Sequence, residues 1–209
     1  MTKRTARGTE TRQRIIKAAT DLFHRQGYRA TSPDAIIDAS GTGKGQFYHH
    51  FRNKDDLVHA VLQTHLQAIE AGAAPIKYDI DSWADLERWF LDHIALQKRY
   101  RMTRGCPLGT IGNEVTEADE LFRLDLSQIF EVVKSRLVAF FTREKALGRL
   151  VAAANEETMA DFCIALVQGT MFHAKIKRSS QIGEALLQEA MAHFRQYMIP
   201  PPGTADRVH

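Results

Sequence analysis

The sequence predicts an all-α chain built from two helical blocks. Three observations carry this. Apolar residues recur three and four apart along most of the 209 residues, with no sustained period-two alternation that would mark strands. Polar caps and Gly or Pro stops punctuate that pattern at helical lengths. An apolar fraction of 44% is enough for a core in a chain of this size, so disorder is not the default state.

Taken in order, residues 1–8 read as a basic arm carrying Lys3, Arg4 and Arg7. From about Thr9 to Gln26, Ile15, Ile16, Ala19, Leu22 and Phe23 fall on one face, and Gly27 supplies the stop. Ser32 followed by Pro33 caps a short helix reaching about Ala39. Ser40-Gly41 breaks it, and the next helix runs from about Gly43 to His50. Asn53 then caps a longer helix, with Asp55 and Asp56 in its positive first turn. Residues 72–81 form a boundary. Ser82 caps a helix bearing Trp83, Leu86, Trp89, Phe90, His93 and Ile94, before glycines around 105–112 interrupt the pattern. A long helix is predicted over about 118–146, another from the Asn155 cap to about Lys177, and a last one over about 181–198. Pro200-Pro201-Pro202 prevents continuation.

Bulk properties exclude several classes. No apolar run approaches the roughly eighteen residues of a membrane span, and the basic N-terminus has no apolar core of a secretory signal. Cys106 and Cys163 alone imply no disulfide framework, which fits a cytoplasmic setting. Charge is uneven: residues 1–60 hold eleven Lys or Arg against six Asp or Glu, whereas the remainder is slightly acidic. A basic end suits phosphate binding, although a solvated tail gives the same count.

The densest signal is GTGKGQFYHHFRNK, residues 41–54. A glycine turn leads into a segment with a lysine, an amide, aromatics and imidazoles, and Phe47 and Phe51, four apart, can anchor it to a core. Such a segment suits the second helix of a helix-turn-helix, which lies in the DNA major groove. Lys44, Tyr48 and Lys54 are phosphate partners by type, and amides near Thr42 and Gly43 add the helix-terminus attraction for anions. Gln46 can bond bidentately to adenine. His49 either reaches the groove or backbone or is simply solvated, and adjacent His49 and His50 point in different directions, which argues against a metal site. A nucleotide-binding loop fails on spacing. It would need Gly at 38 and Ser or Thr at 45, where Asp38 and Gly45 stand.

The run from Thr31 to Leu57, with Gly41, Lys44, Gly45, Tyr48, Phe51 and Lys54, resembles the tetracycline-repressor (TetR) family of transcriptional regulators. Two positions depart from its common pattern: Gly43 stands where Ser is usual, and Ile37 where Ala is frequent. The resemblance implies an N-terminal three-helix helix-turn-helix DNA-binding domain over 9–69 and a larger helical effector-binding and dimerisation domain over 70–200. It implies a double-stranded DNA operator as partner, with Thr31, Thr42, Gly43, Lys44, Gly45, Gln46, Tyr48, His49 and Lys54 as contacts. It also implies a homodimer through the last two helices, a small-molecule effector, and no cofactor.

In the second block, Leu187, Ala190, Phe194 and Tyr197 recur at helical spacing, with Gly169 in the preceding helix. The pattern suits either a dimer surface or a monomer core. Trp89, Phe90, His93, Ile111, Phe122, Leu126, Phe130, Met171 and Phe172 form the candidate effector pocket, and packing alone would use the same residue types. Cys106 sits beside Gly105 and Pro107 at a helix start. With Lys175 it resembles the electrophile- and oxidant-sensing branch of the same family, whereas an isolated thiol is also an ordinary packing residue. An architectural DNA-binding protein without an effector is the alternative function. An enzyme is disfavoured, since no set of residues with mutually supporting catalytic roles is apparent.

Overall fold

The computed structural model describes residues 3–199, with side chains from Gly8 onward. It contains α1 (Lys3–Gln26), α2 (Pro33–Ser40), α3 (Lys44–His50), α4 (Lys54–Glu70), α5 (Trp83–Arg99), α6 (Pro107–Gly112), α7 (Glu120–Ala146), α8 (Glu156–Lys177) and α9 (Gln181–Arg195). An isolated antiparallel bridge joins Leu150 to Met198. The caps anticipated from sequence are made. Ser32, Asn53, Ser82 and Asn155 each accept from the backbone amide three residues on. Two bounds differ from expectation. α1 starts at Lys3, so the anticipated arm is helical backbone from that residue, while the side chains of Lys3, Arg4 and Arg7 lie outside the described residues. α9 ends at Arg195 because residues 196–199 turn to pair with 149–151, where the Val151 amide donates to the Tyr197 carbonyl at 2.9 Å. The triple proline lies outside the described residues.

The described residues divide into two compact units, one reaching to residue 71 and taking in 104–129, the other made of 72–103 and the residues from 130 onward. In the first, Ile15, Ala19 and Phe23 of α1, Ile36 of α2, Phe47 of α3 and Leu57, Val58 and Leu62 of α4 are fully buried. Its second sequence segment is held by polar contacts. The Arg29 amide donates to Glu114 Oε2 at 2.9 Å, and its Nε donates to the Glu114 carbonyl at 2.9 Å. The Arg29 guanidinium also pairs with Asp119. Asp125, almost wholly buried, meets His59 Nδ1 at 2.6 Å and accepts from Gln63 Nε2 at 2.9 Å. A buried carboxylate needs such partners to offset the cost of leaving water.

The second unit packs α5, α8, α9 and the later part of α7. Trp83 lies 5.2 Å from Phe140 and 6.0 Å from Phe194, and its indole donates to the buried Glu144 carboxylate at 2.8 Å. Leu187, Ala190 and Phe194 face this core and are buried, so their spacing reports the interior of one chain rather than an outer surface. Gly183 lets α9 close on α5, since a Cβ there would come within 2.9 Å of Ile94 Cγ1.

Candidate nucleic-acid interface

The turn between α2 and α3 is fixed by its own hydrogen bonds. Gly41 takes the left-handed conformation, φ 62°, which L side chains adopt at a cost, and its amide donates to the Asp38 carbonyl. The Thr42 amide donates to the Ile37 carbonyl at 3.2 Å, and the Thr42 and Ser40 hydroxyls share a 2.8 Å bond beneath the turn. Phe47, fully buried, and Phe51 then pin α3 to the core, with the Arg12 guanidinium over the Phe51 ring. Anchoring one face leaves the other to solvent: Gly43, Lys44, Gly45, Gln46, Tyr48 and His49 are all exposed. Gly45, Gln46, His49 and His50 border a shallow recess of about 380 Å³ together with Gly8 and Thr11 of α1.

Four expected contact residues are engaged elsewhere. Thr31 is fully buried; its hydroxyl donates to the Gly27 carbonyl at 2.6 Å and accepts from Gln26 Nε2. Lys54 Nζ donates to the carbonyls of Tyr28 and Arg29 at 3.0 and 3.2 Å, tying the start of α4 to the end of the first helix-turn. Thr42 is buried beneath the turn, and its amide, like that of Gly43, is already used. The Gly43 amide donates to Gln46 Oε1 at 3.2 Å, so Gln46 caps its own helix. Gln46 thereby supplies one half of a capping box, while Gly43 has no side chain to accept in return from the Gln46 backbone amide. Sequence reasoning missed Thr11 and Gly8. Their place one and two turns before Ile15 on α1 is the signal that could have found them.

Charge on this face is concentrated in few groups. Lys44 pairs with Asp34 at 3.0 Å with both side chains largely in water, and the carboxylate raises the lysine above its ordinary range. Such a pair contributes little to stability and is easily exchanged for another anion. His50, half-buried, is pushed down by desolvation and then by neighbouring His49 and Arg12. Arg52 is held by Asp56 at 2.8 Å.

In the second unit, Phe90, His93 and Met171 of the candidate set line a small cavity, and Trp89 is buried behind it with its ring 4.7 Å from His93. Ile111, Phe122 and Leu126 are buried in the first unit instead, Phe122 against Tyr28 at 5.7 Å. Phe130 is half-buried in the second unit and does not line the cavity. Phe172 is 56% exposed, because the step of one helical residue from Met171 swings it to the outer face of α8. Gln97, missed from sequence, lines the cavity four residues after His93, the spacing that places both on one face of α5. Cys106 is half-buried at the N-cap of α6, a helix of six residues that carries only a short dipole, and Lys175 is exposed on α8 in the other unit. Cys163 is fully buried, and burial pushes its thiol far above the ordinary range.

Among the described residues no group of three or more His, Cys, Asp or Glu could hold a metal ion, and no helix is long and apolar enough to cross a membrane.

Residues 15–61 match the family model for bacterial regulatory proteins of the tetR family, and residues 83–194 match the tetracyclin repressor-like C-terminal domain. An uncharacterized HTH-type transcriptional regulator from the lacX 3′ region of Lactococcus lactis is 29% identical over 84% of this chain and 88% of its own length. The transcriptional regulator AcuR of Cereibacter sphaeroides is 27% identical over 79% of this chain and 76% of its own. A TetR-family regulator from Agrobacterium tumefaciens superposes with a TM-score of 0.77 at 22% identity, covering 92% of this chain and 100% of that one. With an anchored helix-turn-helix and both domain models matched, the chain belongs to the TetR family of DNA-binding transcriptional regulators.

Proposed function

We propose that this regulator is a homodimeric repressor that leaves a palindromic operator when a small effector binds its second domain. The observation that carries the DNA side is the exposed face of α3, which presents Lys44, Gln46, Tyr48 and His49 on a helix pinned from behind by Phe47 and Phe51. Lys44 and Tyr48 position the helix on phosphate, while Gln46 reads a base edge with the amide group its cap leaves over. Dimerisation uses the outer face of α8. Phe162, Gly169, Phe172 and Ile176 lie there at three-, four- and seven-residue steps and are exposed in the single chain. Repression is supported by a relative named for it, the repressor DhaR of a Mycobacterium species, 25% identical over 83% of this chain and 86% of its own length. The reading places the protein with the DNA, in the cytoplasm.

Titrating labelled DNA from the region flanking the protein's own gene, at two salt concentrations, tests this. Lys44→Ala weakens binding across sequences and lowers the salt slope by about 1, as removal of one phosphate contact should. Binding indifferent to DNA sequence in the wild type would favour an architectural role instead. The effector is either a small molecule held in the cavity or an electrophile acting at Cys106. Release that survives Cys106→Ser selects the first.

A further inference from the structure

We propose that the cavity bounded by α5, α8 and α9 takes an uncharged, mostly apolar molecule bearing a hydroxyl group, whose hydrogen is accepted by Gln97 Oε1. The inference rests on the effector reading above and names the chemistry of the ligand.

The lining decides the class. None of its twelve lining residues carries a formal charge at neutral pH, and Phe90, Ile94, Val167 and Leu187 supply apolar wall. An ion entering would lose its hydration without finding a counter-charge. Two lining groups are polar acceptors on one face of α5. Gln97 is 2% exposed, and its Nε2 donates to the Met171 carbonyl at 2.9 Å, which fixes the amide orientation. Its Oε1 is then buried with no partner among the described residues. His93 is the second acceptor. It lies 2.7 Å from the Trp89 carbonyl through Nδ1, so that nitrogen carries the proton and Nε2 presents a lone pair. Burial lowers the imidazole to about 4, which keeps it neutral at physiological pH.

A buried acceptor left unmatched costs free energy that a donor recovers. A ligand without a donor would leave that cost in place, and an anion would face two lone pairs on α5, with the Thr170 hydroxyl as a neutral donor among the lining side chains. The free space is about 10 Å³, the scale of one hydroxyl. Room for the rest of a ligand comes from flexible side chains, Met102 and Met171. Met102 is the better placed to move. It sits on a turn in which Arg101 and Met102 are both left-handed, φ 51° and 55°, a strained pair without glycine.

Calorimetric titration of the full chain with phenol, toluene, benzoate and benzylammonium reads this without DNA. Phenol is expected to bind saturably and about tenfold tighter than toluene, the worth of one satisfied buried acceptor, and neither ion to compete. In Gln97→Met the preference for phenol over toluene falls below about threefold while toluene binding persists. Toluene binding as tightly as phenol in the wild type, either ion binding best, or no probe binding would overturn the assignment. The wild-type comparison decides the matter even if the variant fails to fold. Operator binding on the same preparation separates the two readings. Intact operator recognition without phenol binding removes only this inference, whereas phenol preference without operator recognition removes the regulator reading and leaves the ligand chemistry standing.

Discussion

Gln46 holds two roles that substitution can separate. Its Oε1 accepts the Gly43 amide and so starts α3, while its amide NH₂ is available to an outside acceptor. Gln46→Glu keeps an oxygen for the cap but removes the donor and adds a charge facing phosphate. Gln46→Ala removes both cap and donor, which should cost about 0.5–1 kcal/mol of stability. The expected result is a melting temperature near wild type for the glutamate variant and lowered for alanine, with specific DNA binding lost in both. Retained base preference in Gln46→Glu would mean that another side chain reads the operator. His93 makes a different prediction. Its folded value of about 4 lies below its ordinary 6.5, so between these the unfolded chain binds more protons than the folded one. Its contribution is therefore complete above pH 6.5 and lost as pH falls toward 4, about 3 kcal/mol across that window. Chemical denaturation of His93→Phe against wild type from pH 7 to 4 should show a flatter acid limb in the variant. Parallel curves would place the titration elsewhere, His65 being another imidazole that burial lowers.

At the scale of elements, helices and caps were legible because each is written locally. Ser32-Pro33, Asn53, Ser82 and Asn155 announce their helices within four residues, and the observed caps match them. The expected DNA contacts differ in how the fold treats them. Tyr48 and His49 are exposed by the helical step alone, Thr31 is turned back onto Gly27 and Gln26 just before it, and Lys54 is held by the Tyr28 and Arg29 carbonyls, about twenty-five positions away, which no local pattern records. The same holds for the link between residues 27–29 and 113–119. Arg29, Glu114 and Asp119 are ordinary surface residue types, more than eighty positions apart, and polar pairing has no period. That link yields a test. Gly27 has φ 84°, and a Cβ there would run into the Glu114 carboxylate. Gly27→Ala should cost about 1–2 kcal/mol, mostly from the left-handed backbone, with a smaller share from displacing the end of the Glu114 side chain. Glu114→Ala in the same chain should restore part of it, since only the crowding is relieved. A wild-type midpoint in denaturant for Gly27→Ala would contradict this packing.

For the molecule as a whole, the second domain's surface bears on assembly. Leu187, Ala190 and Phe194, which sequence spacing offered as either dimer surface or core, are used up inside the chain. Periodicity shows that a face is apolar and is silent on what covers it. Left outside are Phe162, Phe172 and Ile176 on α8. Phe172→Glu should therefore shift the sedimenting species from dimer to monomer at micromolar concentration with little loss of helix content by circular dichroism. A dimer persisting in Phe172→Glu would move the interface elsewhere. Under the proposed two-fold reading of paired half-sites, the monomer should also bind operator far more weakly while α3 itself is unchanged.

The central claim, that α3 in a two-fold dimer reads an operator, is tested most directly by hydroxyl-radical footprinting on DNA flanking the protein's own gene. The expected pattern is two protected half-sites of inverted sequence, separated by about one helical turn or a multiple of it. Protection should disappear with Gln46→Glu and remain with Cys106→Ser. A single protected segment, or protection spread evenly along the fragment and unaffected by Gln46→Glu, would contradict it.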